Sequence, residues 1–191
     1  MRGWMAGALA LSLGFGLAAT VAAQGLQDEN VLAPMPKGFK IGYQGQQGQV
    51  SITEMVPAAE TVDVWSRMVT QQTFRGMGGR DPDGLPDSMS KPWATACPGG
   101  SSQRLSGEPV NGYRATLWVF RCPLNPATQK PEVAWLRAVS GADAVYGVQY
   151  AARAVFSDDL AREATAYLSG VIVCDTRAPA HPCPNLRAAG H

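Results

Sequence analysis

Cys97, Cys122, Cys174 and Cys183 carry the most reactive side chains of this chain, and their spacing decides what they do. No Cys-x-x-Cys pair occurs, so the usual mark of a thiol oxidoreductase is missing. Zinc would need close ligand spacing as well, and a set of three cysteines completed by His181 lacks it. An even number of cysteines in an exported chain reads as disulfides, with three connectivities open. Pairing nearest neighbours gives Cys97–Cys122 and Cys174–Cys183, and the second closes a Pro-rich tail. No metal or other cofactor is expected.

Other candidate chemistry is sparse. Asp81-Pro82-Asp83-Gly84-Leu85-Pro86-Asp87 spaces its acids like the start of a calcium loop. The twelfth position is Pro92, where such a loop needs a bidentate Glu, and two prolines spoil the backbone; a solvated acidic turn is expected. His181 and His191 lie at the C-terminal end, no G-x-S-x-G elbow is present, and nothing marks a nucleophile or an orienting carboxylate for His181. Gly76-Met77-Gly78-Gly79 lacks the Lys-Ser/Thr of a phosphate loop. A glycosidase needs only two carboxylates, and Glu54, Glu60 and Glu132 lie in or beside structured segments. Glu54 shares a strand face with Val50, Ile52 and Val56; a strand-end residue reaching solvent or pairing with Lys40 across a hairpin is the plain expectation. Trp65, Trp118 and Trp135 read as core. Trp93, beside Pro92, is either cover for the core or an exposed contact anchor.

The elements that would position these residues begin after an N-terminal secretory pattern. Arg2 gives a positive start, Trp4–Val21 an apolar run, and Val21-Ala22-Ala23 the small residues of a cleavage site, so processing is expected between Ala23 and Gln24. The expected organisation is a signal peptide at 1–23, a flexible leader at 24–37, one domain at 38–174 and a disulfide-tied tail at 175–191. Lys and Arg total 16 against 15 Asp and Glu, with Arg2 in the signal. A neutral surface without basic clusters gives no footprint for nucleic acid or anionic membrane. After processing no membrane span is expected, and the location is periplasmic or secreted.

Within the domain, Phe39–Tyr43 and Val50–Val56 alternate as a hairpin. Thr61 caps a helix running to Phe74, with Val62, Trp65, Met68 and Val69 at helical spacing. Residues 76–100 are the least readable; a short helix over Pro86–Ala96 with Cys97 as its exit is one option and a long loop the other. Asn111-Gly112 is a strong hairpin signal between Ser102–Glu108 and Tyr113–Cys122. The second of these strands is apolar on both faces and so reads as central and covered on both sides. Glu132–Ser140 and Val145–Ala152 follow as strands. Ser157 then caps a final helix, with Asp158 and Asp159 in its first turn.

Hairpin, helix, four-stranded meander and helix add up to an α+β domain, a mainly antiparallel sheet of about six strands with helices packed on it. That order, over residues 38–173, resembles the photosystem extrinsic protein PsbP and its bacterial relatives such as DcrB. Glu54-Met55-Val56-Pro57, Glu60-Thr61-Val62, Trp65-Ser66 and Met68-Val69-Thr70 resemble an uncharacterised family of exported proteins of Gram-negative bacteria. Neither resemblance brings a catalytic motif, and the roles implied are accessory or binding ones. The functional expectation is an exported, non-catalytic binding or envelope-accessory domain, its partner an envelope protein or a small ligand. The alternatives are a carboxylate-dependent hydrolase and a protein-interaction module, the latter marked by an exposed apolar patch near Trp93.

Overall fold

The computed structural model describes residues 26–185. The elements run β1 Glu29–Leu32, β2 Phe39–Gln47, β3 Val50–Pro57, β4 Arg67–Arg75, α1 Gly84–Ala96, β5 Ser101–Ser106, β6 Arg114–Asn125, β7 Lys130–Ser140, β8 Ala144–Ala152, α2 Asp158–Ser169 and β9 Ile172–Asp175. Seven strands form one sheet in the order β2-β3-β4-β8-β7-β6-β5, every neighbouring pair antiparallel, and β1 and β9 form a separate antiparallel ribbon. The chain is therefore a mixed α+β protein with a large antiparallel sheet, one strand larger than expected and differently ordered.

The two helices take opposite faces. Helix α2 packs on β7 and β8, where Leu160, Ala164 and Leu168 join Leu117, Val119, Val133, Trp135, Val148 and Tyr150 in the largest core cluster. Helix α1 packs on β5, β6 and β7, where Leu85, Met89 and Trp93 cover Phe120, Ala134 and Leu136. The central strands are buried on both faces, as the two apolar faces of residues 113–122 require. Each large aliphatic side chain buried there contributes roughly 1.5–3 kcal/mol. At the start of α2 the Ser157 hydroxyl accepts the Leu160 N–H at 3.2 Å, and Asp158 and Asp159 occupy the first turn, where carboxylates suit the helix dipole.

Two expectations change, and one open choice is resolved. Residues 61–74 do not form a helix: 67–75 are β4. The spacing of Val62, Trp65 and Met68 arises because a loop and a strand feed the same cluster, while Val69 is buried on the opposite face of the sheet. The Thr61 hydroxyl does accept an N–H, that of Val64, but it closes a turn. Glu60 completes that turn by accepting the Ser66 N–H and hydroxyl at 2.6 and 2.8 Å. The β-branched residues Val69, Thr70 and Thr73 then favour extended chain. Of the two options for residues 76–100 the helix holds: α1 has 13 residues, starts two residues before Pro86 and ends at Ala96 with Cys97 as its cap. Within the expected leader, Glu29–Leu32 form β1, paired from Glu29↔Asp175 to Leu32↔Ile172. The proposed signal segment and its Ala23–Gln24 junction lie outside the described residues.

Asn111 (φ 48°) and Gly112 (φ 82°) make the tight turn closing the Val110–Tyr113 bridge, both in the left-handed region this turn demands. Cys97 is bonded to Cys122 and Cys174 to Cys183. Among the described residues, no helix is long and apolar enough to cross a membrane.

Candidate functional site

Most residues singled out for chemistry hold the fold together. Asp83 accepts from the Trp118 indole at 2.7 Å and from Arg104 Nε at 3.1 Å on both oxygens. Burial opposes ionisation of Asp83, but hydrogen bonds from Thr116, Trp118 and Arg104 prevail and keep its carboxyl below the ordinary value. Asp81 accepts the Asp83 N–H. Thus the acidic loop anchors the start of α1 to β5 and β6. Among the described residues, no group of three or more His, Cys, Asp or Glu side chains is placed to hold a metal ion. His181 stacks on Tyr113 with ring centroids 3.8 Å apart, and its Nδ1 lies 2.8 Å from the Asn111 carbonyl, so it pins the tail to the Asn-Gly turn. Trp93 tilts over Phe120 at 5.5 Å and donates its indole N–H to the Arg121 carbonyl, which makes it cover for the core rather than an exposed anchor.

The three candidate carboxylates are not brought together. Glu60 closes the turn before β4, and Glu132 accepts from the Asn125 amide at 3.1 Å on β7. Glu54 faces neither of them, nor Lys40: Lys40 lies opposite Val56, two positions away, and a bulge between Ile41 and Tyr43 places Tyr43 opposite Glu54. Burial raises the Glu54 carboxyl above its ordinary value. Because ionisation of Glu54 is disfavoured in the native state, its contribution to stability is fully present at low pH and is lost as pH rises through that raised value. Glu54→Gln is therefore expected to melt slightly higher at pH 7, by about 0.5 kcal/mol or less for a solvent-screened group, with no difference at pH 3. Thermal melts at the two pH values check this.

Glu54 belongs instead to a surface that the register assembles. With α1 seated on β5–β7, no helix among the described residues packs extensively over β4, β3 and β2 on that face of the sheet. Cross-strand pairing lays that face out in rows, with neighbouring strands about 4.8 Å apart and successive rows about 7 Å apart. One row reads Tyr43, Glu54, Thr70, Gln149 across β2, β3, β4 and β8; the next reads Gly45, Ile52, Gln72, Gly147; the third reads Gln47, Val50, Phe74, Val145. The row beyond Tyr43 is roofed by the 58–66 loop, where Trp65 and Val62 pack with Val56, Met68 and Ala151.

At the other end the third row opens into a cleft of about 570 Å³, with Phe74, Met77, Leu85 and Val145 as its apolar lining and Arg80, Asp81 and Ser88 among its polar residues. Leu85 reaches this position because Gly147 has no side chain; a Cβ there would come within 2.7 Å of Leu85 Cδ2. A shallower hollow of about 350 Å³ lies beside it, over Tyr43, Val50, Ile52 and Gln72. Both volumes fall in the range of small-ligand sites, about 300–1,000 Å³. Glu54, Thr70, Gln72 and Gln149 are half-buried and Tyr43 is 48% exposed. Among the described residues, none of these five side chains hydrogen-bonds or ion-pairs with another protein group. Donors and acceptors thus stand free on a rigid sheet, beside an apolar cleft.

The groove residues escape a reading of the sequence because a helix at 61–74 would put Thr70 and Gln72 on different sides. Their signal is the alternation Thr70, Gln72, Phe74 beside β-branched neighbours, which fits a strand.

No protein-family model matches this sequence, and no curated protein matches it. One solved structure, that of LpqN from Mycobacterium tuberculosis, a protein involved in cell envelope biogenesis, is similar over 79% of this chain and 87% of that one, with 12% sequence identity and a TM-score of 0.39.

Proposed function

We propose that the chain is an exported, non-catalytic binding module, with the open half of the sheet as its working surface. The observation that carries this reading is the row of half-buried hydrogen-bonding side chains without protein partners, set against an apolar cleft. Such a pairing of apolar floor and convergent polar groups is what small-ligand sites are made of. Export is supported by two disulfides, which persist in oxidising compartments, and by the N-terminal secretory pattern with its junction at Ala23–Gln24. A periplasmic or secreted envelope-accessory role, the kind implied by a PsbP- or DcrB-like arrangement, is part of the same proposal. The carboxylate-dependent hydrolase is disfavoured, because Glu60 and Glu132 are engaged away from Glu54.

Native mass spectrometry of the protein isolated from the exporting cell tests the reading, with a second spectrum of the same sample denatured without reductant. The expected denatured mass is that of a chain starting at Gln24 with both disulfides intact. The expected native mass is heavier by a retained ligand, and Gln72→Ala loses that excess while melting normally. Equal native and denatured masses, with no stabilisation on adding envelope extract, would count against a binding role.

A further inference from the structure

We infer that the ligand of this groove is an uncharged oligosaccharide, hydrogen-bonded by the row Tyr43, Glu54, Thr70 and Gln149 together with Gln72, and stacked on the Tyr43 ring. The inference rests on the binding reading above and adds the ligand's chemical class to it.

Charge is the first argument. The three open rows contain a single formally charged side chain, Glu54. At the cleft end Arg80 and Asp81 offset one another in formal charge, and the exposed Lys40, opposite Val56 in the adjoining row, offsets Glu54. A phosphate, a nucleic acid or a strongly charged peptide would meet no matching field here. A neutral ligand loses nothing by that.

Hydrogen-bonding capacity is the second. Gln72 and Gln149 each offer two donors and an acceptor, Thr70 and Tyr43 a hydroxyl that does both, and Glu54 two acceptor oxygens. A sugar ring matches such an array, since its rim carries hydroxyls that donate and accept while its faces present C–H groups. An acyl chain filling the same groove would strip water from five polar groups and return no hydrogen bond, which disfavours it.

Shape is the third. The polar row crosses four strands and spans about 14 Å, an extended rather than a point-like site. Tyr43 lies flat over Gly45, where a Cβ would come within 2.4 Å of its hydroxyl and 2.9 Å of its ring, so an exposed aromatic ring is held at one end of the row. All five polar groups project from paired strands, so little ordering is required on binding.

The experiment is a titration followed by 1H–15N NMR, reading the side-chain amides of Gln72 and Gln149. The protein is the disulfide-intact exported chain. The probes are a panel of uncharged oligosaccharides (N-acetylated, gluco- and manno-configured) and, separately, laurate below its micelle concentration. At least one saccharide is expected to shift both amides saturably. Gln72→Ala and Gln149→Ala should each weaken it about tenfold, roughly one to two neutral hydrogen bonds. Gln44→Ala, on the opposite face and bonded to Thr53, should bind unchanged. If no saccharide moves these amides but laurate shifts Phe74, Leu85 and Val145, the ligand class is wrong and the binding groove stands. If neither probe moves the groove, or saccharide shifts map elsewhere, both the class and the groove are overturned.

Discussion

Glu29→Ala is expected to lower unfolding stability by about 2–4 kcal/mol, a large share of a typical domain's total. Nothing in the local sequence of Glu29 suggests this. Its carboxylate accepts the backbone N–H groups of Ala142, Asp143 and Ala144 at 2.5, 3.1 and 3.3 Å and the Tyr146 hydroxyl at 2.9 Å. Charge-assisted bonds of this kind are roughly twice as strong as neutral ones. Removing the acceptor leaves the part-buried Ala144 N–H and Tyr146 hydroxyl without a partner, and that deficit, more than the loss of attraction, sets the size of the effect. Burial already raises the Tyr146 hydroxyl well above the ordinary phenol value, with Glu29 adding to it, so the tyrosine stays a neutral donor throughout the accessible pH range. The loop so held has a second duty. The Asp143 carbonyl accepts from Gly76 N–H and the Gly141 carbonyl from Gly79 N–H, which fixes the segment carrying Met77 at the cleft. Urea denaturation should therefore show a lower midpoint with an unchanged slope for Glu29→Ala. Amide exchange should quicken at Gly76 and Gly79, far along the chain from the substitution. Glu29→Gln, which keeps one acceptor oxygen, should fall between the two. A loss below about 0.5 kcal/mol, the size of an ordinary surface substitution, would mean that water replaces the carboxylate without penalty.

Glu29 also shows why parts of this fold were legible in the sequence and others were not. The strands 130–140 and 144–152, the Asn111-Gly112 turn and the Ser157-capped helix were all readable, because each is decided by residues a few positions apart. The turn needs two residues that tolerate positive φ, and the helix needs a hydroxyl three positions before the N–H it accepts. Residues 61–74 mislead because Val62, Trp65 and Met68 satisfy helical spacing while the partners that make 67–75 a strand, β3 and β8, are remote in sequence. The polar row of the groove is harder still. Tyr43, Glu54, Thr70 and Gln149 come from four strands and meet only through register, and the bulge after Ile41 decides that Tyr43 rather than Gly42 faces Glu54. A slip of one residue would send the whole set to the other face. Glu29 meets its loop across more than 110 positions of chain. Pairings set by tertiary packing leave no local pattern to read.

Replacing Cys97 and Cys122 together by alanine is expected to cost about 3.5 kcal/mol, the loop-closure entropy for the 25-residue separation of this pair. For Cys174 and Cys183, nine residues apart, the same relation gives about 2.6 kcal/mol. The two bridges also differ in what they tether. Cys97 ends α1, and its bond to β6 fixes the helix next to Trp93, whose indole holds the Arg121 carbonyl and whose ring lies on Phe120. The other end of α1 supplies Leu85 and Ser88 to the cleft. Opening this bridge should therefore loosen the cleft wall as well as lower the midpoint of unfolding, with a fall in Tm of about 10 °C. The Cys174–Cys183 bridge ties the His181 segment against the Asn111-Gly112 turn, on the ribbon side of the molecule, and its loss should leave ligand binding at the groove intact. Paired urea titrations of the two double variants, each with a binding isotherm for the same ligand, separate these roles. If both variants lose stability but neither loses affinity, the bridges act only on the unfolded chain and α1 needs no tether to shape the cleft.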